Sequence, residues 1–168
     1  MKLPSREQYE TKDMAKYVGK LFCLLGFLFG LTASNTLSEG NFLQSQILIV
    51  SKSGTHKFIV DIAATAAQRQ VGLMFRQKMP ADQGMLFDFG EEKLISMWMK
   101  NTLISLDMLF VDKTGTILQI EHATIPMSLD PISGNAPALS VIELNAGVTK
   151  KLGIFEGDQV LHDIFFQE

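Results

Sequence analysis

The stretch Ser96-Met97-Trp98-Met99-Lys100-Asn101-Thr102-Leu103-Ile104-Ser105-Leu106-Asp107-Met108-Leu109-Phe110 decides how the rest of the chain is read. It holds the only tryptophan, a polar island at Lys100-Asn101-Thr102, and a lone acid, Asp107, inside an apolar run. Short apolar runs broken by a polar island predict two strands, Ile95 to Asn101 and Leu106 to Val111. On the first strand Ser96, Trp98 and Lys100 share one face and Met97, Met99 and Asn101 the other. Two bulky faces mean that both sides are covered, or that one side lines a pocket.

Working outward, β-branched runs recur at close spacing. Ile47 to Val50 and Lys57 to Ile62 flank the turn Ser53-Gly54 and predict a hairpin. Ala63 to Met74 is rich in Ala, Gln and Arg, with Thr65 as a capping residue and Gly72 at its end, and predicts one helix of about two turns. Lys78 to Gly84 reads as a loop, since Pro80 keeps Met79 out of a helix and Gly84 frees the backbone, before a strand over Met85 to Phe89. Asp112 to Gly115 forms a turn leading into a strand from Thr116 to Glu121. Thr124 to Pro137 carries three of the five prolines without periodicity, as a lid or binding loop does. Ala138 to Leu144 reads as a strand, Ala146 to Leu152 as a short helix, and Gln159 to Phe166 as a final strand. About eight short strands and two short helices predict a mainly β (α+β) fold, a compact barrel-like unit or a sandwich.

The N-terminus follows a different logic. Leu21 to Leu31 is apolar and uncharged, preceded by Lys16 and Lys20 and followed by Thr32-Ala33-Ser34. It is too short for a spanning helix and has the layout of a secretory signal peptide over residues 1–33, cleaved near Ala33 or Ser34. Residues 1–13 mix both charges, so Met14 is a candidate true start. The alternative is an uncleaved anchor. A lipoprotein signal through Cys23 lacks the small residues it needs, because Leu21-Phe22 precede the cysteine. Residues 34–45 read as a linker and 46–168 as a single β-rich domain. The expected location is therefore periplasmic or extracellular.

With 46% hydrophobic and 20% charged residues the bulk of the chain can build a core. Net charge is -3, and residues 34–168 carry 10 Lys and Arg against 15 Asp and Glu, so no basic excess exists for nucleic acid. Membrane contact is expected only through the leader. Cys23 is the only cysteine, which excludes a disulfide framework, a thiolate zinc site or a cysteine nucleophile in the folded part.

Asn101-Thr102 reads as an Asx-type turn or as a polar pocket rim. Asp107 and Glu143 each lie inside apolar runs, so each is a paired or turn-bonded carboxylate, with Arg76 or Lys100 as candidate partner to Asp107, or a functional acid. Together the two acids would suit a two-carboxylate hydrolase if they shared a cleft. Met97 and Met99, read as sharing a strand face, would suit copper(I); flexible core filler is the plainer reading. His56, His122 and His162 share no metal-ligand spacing. No cofactor fingerprint and no metal set emerge.

Gly72-Leu73-Met74 with Arg76, Gly84-Met85-Leu86-Phe87, Trp98-Met99-Lys100-Asn101-Thr102 with Leu106-Asp107 and Phe110, and Leu139 to Leu144 with Glu143 and Gly147 together resemble the domain-of-unknown-function 192 family, small and usually exported prokaryotic proteins. The likeness runs from about Ile47 to Phe165. It implies a compact β-rich domain without an established activity. It puts Arg76, Trp98, Lys100, Asn101, Thr102, Asp107 and Glu143 on motif positions, and Gly72 and Gly84 where backbone geometry is the reason. Ser105 stands where the family pattern has proline, which weakens the case for a rigid loop there. The leading expectation is an exported, non-enzymatic domain that holds an unknown small ligand or an envelope protein beside Trp98, Lys100, Asn101 and Thr102. The alternatives are an envelope hydrolase using Asp107 and Glu143, and a copper(I)-binding periplasmic protein.

Overall fold

The structure, a computed structural model, describes residues 42–165. The leader expected over 1–33 lies outside the described residues, as does most of the expected linker. The described chain runs β1 (Leu43–Ser51), β2 (Gly54–Ala63), α1 (Ala66–Val71), β3 (Gln83–Lys93), β4 (Ser96–Met97), β5 (Leu106–Val111), β6 (Ile117–Glu121), β7 (Ile132–Ser133), β8 (Ala138–Asn145), α2 (Val148–Leu152) and β9 (Gln159–Leu161), closing on a 3-10 turn over Asp163–Phe165.

Seven strands form one sheet in the order β6-β5-β8-β3-β2-β1-β9, and β4 pairs with β7 in a small second sheet. The fold is mainly β, a curled half-barrel with two short helices. At one end the edges of the curl meet. Thr116 bridges Gln159, the Ile117 N–H reaches the Asp158 carbonyl at 2.9 Å, and the Val160 N–H reaches the Gly115 carbonyl at 2.7 Å.

The hairpin β1–β2 follows from local sequence and pairs over its whole length, Leu43 with Ile62 through Ser51 with Gly54. It begins inside the expected linker because Leu43 to Gln46 find ladder partners on β2. From β2 to β3 the pairing is parallel, with α1 as the crossover. Thr65 caps α1 by accepting from the Gln68 N–H while the Gln68 side chain returns to the Thr65 N–H. All other pairings in the large sheet are antiparallel. Gly84 is required where β3 meets β8, since a Cβ there would stand 2.5 Å from the Glu143 carbonyl oxygen.

Alternation along the strands divides the apolar residues into two cores. One joins Ile47, Val60, Leu109, Ile117, Ile142 and Val160, and so contains residues of both meeting edges and fills the inside of the curl. The other joins Leu73, Met85, Phe87, Met99, Met108 and Val141 on the outer face. β5 and β8 are buried on both faces and read as near-continuous apolar runs, interrupted by Asp107 in β5 and by Ser140 and Glu143 in β8.

Three elements differ from expectation. The strand read over Ile95 to Asn101 stops at Met97; Thr102 turns back to donate to the Met99 carbonyl, and Asn101 is left-handed at φ 57°. The loop Thr124 to Pro137 is not wholly irregular, because Ile132–Ser133 pair with β4. The last strand ends at Leu161, where the 3-10 turn takes over.

Candidate functional site

A cleft of about 410 Å³ opens on the outer face between α1 with its following turn, the segment Ser96 to Thr102, and Leu129 and Pro131 of the proline-rich loop. Its floor reaches the sheet at Phe87 and Glu143. The loop segments around it are tied by backbone: the Phe75 N–H donates to Asn101 O at 2.8 Å, Met127 N–H to Thr102 O at 3.0 Å and Met99 N–H to Ser128 O at 3.1 Å. Phe75, Asn101 and Met127 all hold positive φ in these tied segments, and with Ala123 they make up the non-glycine positive-φ residues among the described ones. Each costs about 1 kcal/mol or more, strain that gathers where a loop shape is imposed by its surroundings. Trp98 is 47% exposed at the mouth, and the Lys100 ammonium lies 5.3 Å from its ring centre. The Arg69 guanidinium stacks 5.1 Å from the Phe89 centroid and donates to the Ala64 and Asp88 carbonyls.

Glu143 is the group that sets this cleft apart. It is 4% exposed, and among the described residues no hydrogen bond or ion pair reaches its carboxyl. Burial pushes its pKa up to about 8, so the group is neutral at pH 7. Its cross-strand partners are Met85 and Met108, which cannot donate to it. Thr102, also buried, lines the same cleft, and its hydroxyl turns to the Lys100 carbonyl at 3.4 Å.

Of the seven candidate residues, Trp98, Lys100, Thr102 and Glu143 line the cleft together. Asn101 is adjacent but aims its amide at the Met74 sulfur, 3.7 Å away. Arg76 does not pair with Asp107. It forms a short ion pair with Asp61, which also accepts from Gln44 at 2.9 Å. Lys100 likewise goes to Trp98 rather than to Asp107.

Asp107 lies elsewhere. It stands in register with Leu144 of the inner core, whereas Glu143 stands in register with Met108 of the outer one, so the two carboxyls occupy opposite faces of the sheet. They cannot form the acid–base pair of a hydrolase. The fully buried Asp107 carboxylate accepts from Thr149 Oγ1 at 2.6 Å, Thr149 N at 3.1 Å and Ala123 N at 3.0 Å. Burial would raise its pKa. The bonds from the Thr149 hydroxyl and from the Ala123, Gly147 and Thr149 amides outweigh that and hold it below the usual carboxylate value. Since the Thr149 proton is committed to Asp107, His122 Nδ1, 3.1 Å away, is the donor in its contact with that hydroxyl. Asp107 thus follows the turn-amide reading. The Ser105 hydroxyl bonds the Thr124 carbonyl at 2.7 Å, so hydrogen bonding fixes the loop that proline would have stiffened.

The methionine pair is also split. Met97 lines the cleft, while Met99 is fully buried in the outer core. No cluster of three or more His, Cys, Asp or Glu able to hold a metal occurs among the described residues.

Sequence reasoning missed Asp61 and the α1 wall. Asp61 sits between Val60 and Ile62, the same signal that flagged Asp107 and Glu143, and shares the outer-face row Asp61-Met85-Glu143. Leu73 and Phe87 are legible only as members of the family motif and Arg69 not at all, because a crossover helix reveals its pocket-facing side only after the sheet has formed.

The curled half-barrel with two short helices makes this a small, mainly β domain, and comparison then gives its family. Residues 48–162 match the profile of the family DUF192, described as "Uncharacterized ACR", and the chain belongs to that family. A Sinorhizobium meliloti protein, described as a proposed transcription regulator, has a similar crystal structure. It is 43% identical with a TM-score of 0.70, over 71% of this chain and 94% of that one. A Novosphingobium aromaticivorans protein of unknown function is 31% identical with a TM-score of 0.72, over 74% of this chain and 89% of that one. No curated protein matches the chain.

Proposed function

We propose that the domain binds a small molecule in the cleft at Trp98, Lys100, Thr102 and Glu143, and that it does so as an exported protein without catalysing a reaction. The single observation that carries the reading is Glu143. A carboxyl so largely buried, with no protein partner among the described residues, has unmet hydrogen-bonding capacity that only a group in the cleft could meet. Here the unpartnered group lines a cleft whose volume suits a small ligand and whose walls are mostly apolar and aromatic. The strained segments at the mouth support the same reading, since strain of that kind gathers at ligand clamps. The export half rests on the leader-like run Leu21 to Leu31.

Native mass spectrometry of the protein purified from its own envelope fraction tests both halves. The expected result is a chain lacking its first 33 residues or so, carrying a discrete small-molecule adduct that the Glu143→Gln variant loses. A mature chain recovered from its source with no adduct removes the binding reading, and recovery only in the cytosol removes the export reading.

A further inference from the structure

The chemistry of the cleft says more about its occupant than that it is small. Glu143 is the sole acid lining the cleft among the described residues, and the other charged side chains there are Arg69 and Lys100. Neither cation pairs with Glu143 among the described residues. Arg69 is held by two backbone carbonyls and the Phe89 ring, and Lys100 lies over the half-exposed Trp98 at the mouth. Burial is what pushes the Glu143 carboxyl up, and no ion pair to it occurs among the described residues. Asp61, in the same row beyond Met85, is occupied by Arg76 and Gln44.

We propose that the occupant is a small organic cation, an amine on an apolar body, whose ammonium group is the missing partner of the Glu143 carboxyl. The proposal rests on the ligand-binding reading above and names its chemical class. An anionic ligand would bond the Glu143 carboxyl only through that acid's own proton. A neutral hydroxyl or carbonyl would use only part of what a carboxyl offers. A protonated amine converts the neutral acid into a charge-assisted pair, the stronger kind of hydrogen bond. The walls agree, because ring faces and thioethers at Trp98, Phe87, Met74 and Met97 accept positive charge, and Trp98 already carries Lys100 on its face. The proton balance is simple: the ammonium enters with its proton, and the Glu143 proton leaves to solvent. At pH 7 that ionisation weakens binding by only about tenfold, since the acid titrates about one unit higher.

The test uses the full chain and three probes that share a phenylethyl body, phenethylamine, 2-phenylethanol and phenylpropionate, followed by the fluorescence of the sole tryptophan and by calorimetry in buffers of different ionisation enthalpy. Phenethylamine alone should bind saturably. It should release close to a full proton at pH 7, with affinity rising about tenfold per pH unit up to about 8 and then levelling. Glu143→Gln should weaken it at least tenfold without lowering the melting temperature. Equal or tighter binding of the alcohol or the acid, or unchanged amine binding by Glu143→Gln, overturns the cation class while leaving a ligand-binding cleft. Silence from all three probes also overturns the cation class, and the broader reading then stands or falls on its own adduct measurement.

Discussion

At the scale of single residues, Glu143 and Asp107 show how one sequence signal yields two chemistries. Both are acids flanked by apolar residues, and both are buried. Asp107 meets a hydroxyl and three amides and stays ionised; Glu143 meets two thioethers and stays neutral. For Glu143 the folded pKa of about 8 stands above the ordinary 4.5, so folding takes up a proton between those values. Its contribution to stability is whole below about 4.5, falls with rising pH, and is gone above about 8. Urea unfolding from pH 5 to 9 should therefore find Glu143→Gln gaining on the natural protein by roughly 1 kcal/mol per pH unit until about 8. Comparing the two proteins cancels His162, whose pKa burial lowers against the pull of Asp163 and Asp88 and which acts in the opposite sense. A difference that does not change with pH would mean that Glu143 has a partner.

At the scale of elements, α2 is five residues long and has no side-chain cap of its own. Such a helix is not stable alone. Asp107 on β5 holds it through the Thr149 amide and hydroxyl and reaches the turn at Ala123 with its other oxygen. Asp107→Asn is expected to cost about 2–4 kcal/mol and Thr149→Val about 1–2, because each strands buried polar groups. A double-mutant cycle by chemical denaturation should give a coupling of about 1 kcal/mol or more. Additive losses would mean that the helix is held by packing alone. The gain from Asp107 fades as pH falls through its folded pKa, below 3.8, so Glu143 dominates the neutral range.

At the scale of the whole molecule, the half-barrel depends on the seam where β6 and β9 meet. The sharpest constraint there is Gly115, at φ 82°, where a Cβ would come 2.3 Å from the Val160 carbonyl oxygen. Gly115→Ala is expected to destabilise the domain by about 2 kcal/mol or more, from backbone strain and collision together. Hydrogen exchange should register the loss first at the Val160 amide, which donates to Gly115 O across the seam. Uniform loss of protection over all strands would instead mark the seam as integral to the global unfolding unit.

What the sequence by itself determined is the local and the periodic. The hairpin β1–β2, the capped α1, most strand positions and the family are legible in residues 46–168 because turn chemistry and period-two alternation act over a few neighbours. The burial of Asp107 and Glu143 was legible too, as acids inside apolar runs. Tertiary structure alone decided which face each acid took, that β2 and β3 run parallel, that Arg76 goes to Asp61, and that α1 and Leu129 wall a cleft over Glu143. The physical reason is that alternation fixes which residues share a face but not which face lies inside the curl. That is settled only when strands distant in the chain close their registers and exclude water from one side.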